Sequence, residues 1–230
     1  MSVKLDEYWH PGWEGAKENF KPGLIVQSLI LLLVLGYYMV PFFHDWLVSV
    51  TNWRNETGII SAFILGGCGA GLTSELLKWL TSHENKWRRH SWKYYVFNFI
   101  YWGLNGMVVD LFYKGQSLVF GDGRDVMTLL LKALADQFIF TLLFMHIFNC
   151  LAVSWRDSGF KSQIFLDELR DQYFKKRYAP AYVSNFCFWF PTVLIIYCMP
   201  YPLQMPTGAL AGIFWVLILN FVVNRRDLKP

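Results

Sequence analysis

Charge is what this chain has least of. Only 17% of its 230 residues are Asp, Glu, Lys or Arg, against about 25% in a soluble domain. The scarcity is local as well as global. Residues 178–224 contain no Asp, Glu, Lys, Arg or His at all. Chemistry-bearing motifs are also missing. There is no GxSxG, no HExxH, no phosphate loop, no CxxC and no carboxylate cluster with a metal spacing. The five histidines fall in five different regions. These absences argue against an enzyme, with catalytic residues, cofactor and metal all expected to be none. The four cysteines (Cys68, Cys150, Cys187, Cys198) sit inside apolar runs and read as packing residues rather than a disulfide framework. The net charge of +4 is too small to point to nucleic acid. The first 22 residues lack Arg and carry Asp6, Glu7, Glu14 and Glu18, unlike an organellar presequence.

What remains is apolar and aromatic. Hydrophobic residues make up 54% of the chain and aromatics 19%, a composition suited to many membrane–water interfaces. As one helix, the uncharged run 178–224 would be about 70 Å long at about 1.5 Å per residue, while a hydrocarbon core is about 30 Å thick. Two crossings fit if the chain turns near the middle, and there stand Pro200, Pro202 and Pro206. The run therefore predicts a transmembrane hairpin.

The same reasoning along the chain predicts an all-α, polytopic membrane helix bundle. It has about six spans, at 23–43, 57–77, 94–113, 126–153, 180–199 and 206–224. A polar aromatic tail over 1–22 precedes a single transmembrane domain over 23–224, and a basic tail over 225–230 follows. A short amphipathic helix is expected at the membrane surface near 160–177, where Phe165, Leu169 and Tyr173 recur every four residues. With six spans, both tails, the loop near 82–93 and the segment 154–177 share one side. That side holds sixteen of the 21 Lys and Arg residues, and the other holds Arg54, Lys114 and Arg124. The bias follows the positive-inside rule and puts both termini on the cytoplasmic or matrix side.

Charges inside spans are the usual pointers to function. Asp110 lies near the end of the third span. Lys132 and Asp136 lie four residues apart near the start of the fourth, with Gln137 beside them. A Lys132–Asp136 or Lys132–Asp110 pair would fix helix register or line a polar path. Gly67 and Gly71 form a small-xxx-small pair that lets a neighbouring helix backbone approach. Glu75 and Lys78 read as interfacial. His146, Asn149 and Asn185 read as interhelical hydrogen bonders. Tyr8, Trp9 and Trp13 give the tail an aromatic docking surface.

The series Tyr178-Ala179-Pro180-Ala181, Asn185, Trp189, Pro191, Pro200 and Trp215 resembles the signature of the Mpv-seventeen family, which includes the peroxisomal membrane protein of twenty-two kilodaltons. Gly106 through Tyr113 resembles its Gly-Pro-x-x-His-x-Trp-Tyr run, and Lys132 to Gln137 resembles its Lys-x-x-x-Asp-Gln run. The likeness covers roughly residues 57–224, and several polar family positions are changed here: Asp110 for His, Phe112 for Trp, Val193 for Gln and Gln204 for Arg. The resemblance implies a small non-enzymatic protein of a mitochondrial inner, peroxisomal or plastid membrane. Because polar positions are lost, the expected role is an accessory subunit docked in a larger complex of the mitochondrial inner membrane, both termini in the matrix. A small, weakly selective channel is the alternative, and plastid, peroxisomal or bacterial inner membranes stay open. The expected partners are the lipid bilayer, an anionic phospholipid at the basic face and other membrane-protein subunits.

Overall fold

The computed structural model describes residues 6–76, 91–170 and 178–226, and every regular element among them is helical. In chain order these are α1 (Asp6–Met39), α2 (Pro41–Thr57), α3 (Ile59–Leu76), α4 (Trp92–Phe120), α5 (Val126–Asp157), α6 (Ser162–Arg170), α7 (Ala179–Tyr197) and α8 (Tyr201–Arg226). Among the described residues three segments are long and apolar enough to cross a membrane: Gly12–Met39 in α1, α3 and α5. Residues Ala181–Tyr197 of α7 are apolar but shorter. Three candidate spans thus stand where the hydropathy reading placed about six.

The helix boundaries have local causes. The polar segment expected as a tail is helical from Asp6 and runs on into the first span. Proline at the first position of α2 surrenders no intrahelical bond, so Pro41 starts a new helix directly after Val40. Gly58, at φ +56°, lets the chain reverse between α2 and α3. The hairpin expected in 178–224 turns at residues 198–200, with Met199 N–H on the Ile196 carbonyl and Leu203 N–H on the Pro200 carbonyl. Pro202 falls in the first turn of α8, where no backbone donor is required. The turn therefore needs only the first of the three prolines. Of the helix expected over 160–177, Ser162–Arg170 is helical, and Tyr173 with the rest of 171–177 lies outside the described residues. So do Lys78 and the basic loop as far as residue 90.

Two of the helices widen into π-helical turns. In α3 the wide stretch is Gly67–Thr73, closed by Ser74 N–H donating to the Gly69 carbonyl five residues back. In α5 it is Ala135–Met145, closed by His146 N–H on the Thr141 carbonyl. Wide turns of this kind are uncommon and recur at functional positions.

The chain forms two compact units. The first comprises Met1–Lys21 and Ala133–Pro191, and the second comprises Pro22–Lys132 and Thr192–Pro230. In the second unit α4 buries one stripe: Tyr94, Asn98, Gly103, Gly106, Asp110, Tyr113 and Gln116. These recur every three to five residues, which keeps them on one face. The glycines of α3 and α4 make the contact close. A Cβ on Gly106 would stand 2.5 Å from the Ala62 carbonyl oxygen, and one on Gly66 would overlap the Trp102 carbonyl. Gly67 and Gly71 lie in the same seam, where a Cβ would come within 2.8 Å of the Phe99 and Asn98 carbonyl oxygens. A hydrophobic core of Val34, Leu47, Met199 and Leu203 completes this unit.

The outward surface is apolar. In α1 Leu24, Ile25, Leu31 and Leu32 are exposed, and in α5 Val126, Met127, Leu143 and Phe148 are exposed. In α2 Phe42, Trp46 and Trp53 share an outward face, while Leu47 and Arg54, seven residues apart, share the buried one.

Candidate functional site

The second unit carries its charges inside. Arg54, in the last turn of α2, is only 5% exposed, and so is Asp110 in the buried stripe of α4. The Arg54 guanidinium donates through Nη2 to Asp110 Oδ1 and through Nη1 to Ser61 Oγ at 3.4 Å. Ser61 in turn donates to the Gly58 carbonyl at 2.5 Å, tying the α2–α3 turn to the ion pair. Tyr201, at the start of α8, lies close enough to Asp110 and Arg54 to interact electrostatically with both. Four helices thus converge on one buried ion pair. Arg54 Nε, also buried, has no partner among the described residues. Asp110 was, with Asp136, one of two carboxylates expected as the partner of Lys132. The partner of Asp110 is Arg54, 56 residues away, which the hydropathy reading counted as a loop charge.

Lys132 is held elsewhere. Its side chain is 2% exposed, and its Nζ stands 3.5 Å from Asp122 Oδ1, on the loop between α4 and α5. The same ammonium lies 6.0 Å from the centre of the Tyr197 ring, which packs edge-on against Tyr113 at 5.4 Å. Gln116 Nε2 donates to the Lys132 carbonyl at 2.8 Å, while Gln116 Oε1 is buried without a partner among the described residues. A buried ammonium without a counterion is destabilising by several kcal/mol, which accounts for a carboxylate being drawn towards it. The third basic residue expected on the sparsely charged side, Arg124, sits 4.8 Å over the Tyr38 ring, and the Tyr38 hydroxyl donates to the Cys198 carbonyl at 2.7 Å. Glu75, expected at the interface, is buried and accepts from the Tyr94 hydroxyl at 3.3 Å. Gln204, standing where the family motif has Arg, donates to the Met199 carbonyl at 3.0 Å.

In the first unit neutral donors meet a buried carboxylate. Asp136 Oδ1 accepts from Gln137 Nε2 at 2.8 Å and from Thr141 Oγ1 at 3.1 Å, five residues on, which is the spacing of the wide turn. Tyr178, just before α7, and Tyr182, in its first turn, brace that stretch. Tyr178 Oη donates to the Leu142 carbonyl at 2.6 Å, and Tyr182 Oη donates to the Gln137 carbonyl at 3.1 Å. His146 Nε2 lies 3.0 Å from the Tyr178 carbonyl oxygen, with its ring against both tyrosines. Ser184 Oγ donates to the Gly12 carbonyl at 3.0 Å, so the start of α1 is joined to α7.

The remaining sequence candidates are structural neighbours rather than members of one site. Asn185 is half-buried in α7, Trp189 packs edge-on against Phe188 at 5.1 Å, and Pro191 is inside the same helix. Trp13 is exposed, and the side chains of Tyr8, Trp9 and Trp215 lie outside the described part of the structure. The cysteines are all free thiols. Among the described residues no three His, Cys, Asp or Glu side chains converge as a metal site would require.

Arg54 was missed because a single Arg between Trp53 and Asn55 carries no periodic signal. Its seven-residue spacing from Leu47, on one helical face, was the usable clue. Tyr201 was hidden among prolines that drew attention to the turn. No family model, no curated protein and no solved structure matches this chain, so the likeness to the Mpv-seventeen family rests on its short motifs alone.

Proposed function

We propose that this chain is a non-enzymatic, multi-pass membrane protein of the Mpv-seventeen-like kind that serves as an accessory subunit of a larger inner-membrane complex. The observation that carries this reading is the way its buried charges are used. Arg54 and Lys132 are each turned to a carboxylate of the same unit, while the outward faces of α1, α2 and α5 are apolar and aromatic. A pore needs polar groups facing a path, whereas a scaffold needs them neutralised. In this reading α4, α7 and α8 join the three long apolar helices as spans, making six. The basic loops then face the mitochondrial matrix, and anionic lipid gathers on that side. The aromatic stripe of α2 and Trp13 offer flat, rigid surfaces of the type that anchors protein interfaces.

The alternative is a small, weakly selective channel. It is favoured by the buried oxygens of Gln116 and Gln204 and by Arg54 Nε, which have no partner among the described residues. Extraction in a gentle detergent followed by native-gel migration separates the two. A subunit co-migrates with a large assembly and gives no conductance once purified. Migration near its own mass of 27.0 kDa plus detergent, with conductance on reconstitution, would establish the channel instead.

A further inference from the structure

The loop between α4 and α5 is short, and three of its side chains are anchored separately. Asp122 reaches Lys132, Arg124 covers the Tyr38 ring, and Asp125 accepts from both the backbone N–H and the hydroxyl of Thr128, at 3.0 and 2.7 Å. The first of these contacts is poorly matched. Lys132 is buried, whereas the Asp122 side chain is 67% exposed and flanked by Gly121, at φ +77°, and Gly123. At 3.5 Å the pair is longer than the 2.7–2.9 Å of a charge-assisted hydrogen bond. The ammonium has three donors, and the loop carboxylate engages it only loosely. Beside it stands an aromatic ring, Tyr197, while Gln116, which donates to the Lys132 backbone carbonyl, keeps a buried Oε1 with no partner among the described residues.

We propose that Lys132 is the centre of an oxyanion-binding site and that Asp122 is an internal stand-in for the ligand, holding the site closed from a glycine-flanked loop. The ligand class is an oxyanion such as phosphate, whose anionic oxygen replaces the Asp122 carboxylate on Lys132. Arg124 on Tyr38 is the second fastening of the same loop, so releasing it eases entry. This inference stands apart from the subunit reading, since a subunit and a free channel could both carry such a site.

The test uses the full chain in zwitterionic phosphatidylcholine nanodiscs, titrated with inorganic phosphate by calorimetry. Asp122→Asn removes the competing charge and is expected to tighten phosphate binding of order ten-fold, equivalent to about 1.4 kcal/mol. Arg124→Gln leaves Lys132 and Asp122 in place and should tighten binding by a smaller factor. Adding Lys132→Met to Asp122→Asn should abolish the gain. Because the readout is a gain of binding, misfolding cannot imitate it. Equal affinity in the wild type, Asp122→Asn and Arg124→Gln would overturn the proposal, as would binding that survives Lys132→Met. In nanodiscs containing phosphatidylglycerol, native mass spectrometry distinguishes the source. Retention of anionic lipid by Asp122→Asn, displaced by inorganic phosphate, identifies a headgroup phosphate. Unchanged lipid content with phosphate still binding identifies a soluble one.

Discussion

The two compact units solve the same problem with different chemistry. Both bury polar groups: among the described residues the second shows ion pairs, while in the first neutral donors meet backbone carbonyls and the Asp136 carboxylate. In the second unit Arg54 and Asp110 come from helices distant in sequence and meet where α2, α3, α4 and α8 converge. In the first, Tyr178 and Tyr182 satisfy carbonyls of the wide stretch in α5. A helix that opens to a five-residue repeat loses register with its own N–H groups at the ends of that stretch, and a hydroxyl is an inexpensive replacement. The difference teaches where this chain is tolerant. A lost hydroxyl leaves a polar group that water can reach or that rotates away. A lost partner of a buried guanidinium leaves a charge.

The largest expected effect breaks the ion pair. Asp110→Ala strands Arg54 and should lower stability by about 3–5 kcal/mol, read from unfolding in mild detergent. Replacing both partners, as Arg54→Met with Asp110→Leu, should recover most of that loss, because no uncompensated charge remains. Equal destabilisation by the single and double variants would contradict the comparison. Next comes the α3–α4 seam. Gly106→Val places a branched side chain against the Ala62 carbonyl and should destabilise by about 2–3 kcal/mol. Gly115, with open space around it, should accept alanine without loss, since alanine is the better helix former.

A smaller effect probes the first unit. Tyr182→Phe removes one hydroxyl from the Gln137 carbonyl and should lower stability by about 1 kcal/mol. A loss comparable to that of Asp110→Ala would erase the contrast between the units. The smallest effect is a pH dependence at the start of α5. The two bonds from Thr128 hold the Asp125 carboxyl below its ordinary value of 3.8. Its folded pKa is thus lower than its unfolded one. The contribution is present above the ordinary value and is lost as pH falls through the folded one. Asp125→Asn, which can still cap, should show a shallower fall in thermal midpoint over that acidic window than the wild type.

The helical class and the apolar runs were legible because hydropathy records them directly. The run 178–224 had to be two helices on length alone, and α7 and α8 are those helices. Partnership was not legible. Lys132 and Asp136 are neighbours on one helical face, so sequence distance made them an obvious pair, but the loop carboxylate of Asp122 is the group next to Lys132. Arg54 carried no signal strong enough to move it from a loop to the interior. The wide turns were equally silent, since Gly67–Thr73 and Ala135–Met145 have ordinary helical composition apart from the glycines of the first. Glu75 looked like a residue whose side chain could reach water, and only the packing of Tyr94 against it shows otherwise.

The central claim is that this protein neutralises its buried charges internally and acts as a scaffold. Conductance of the purified chain in a planar bilayer tests it most directly. The account predicts no stepwise current in the wild type above that of empty membranes. A stepwise, anion-selective current that disappears with Lys132→Met would contradict it and make the interior a path.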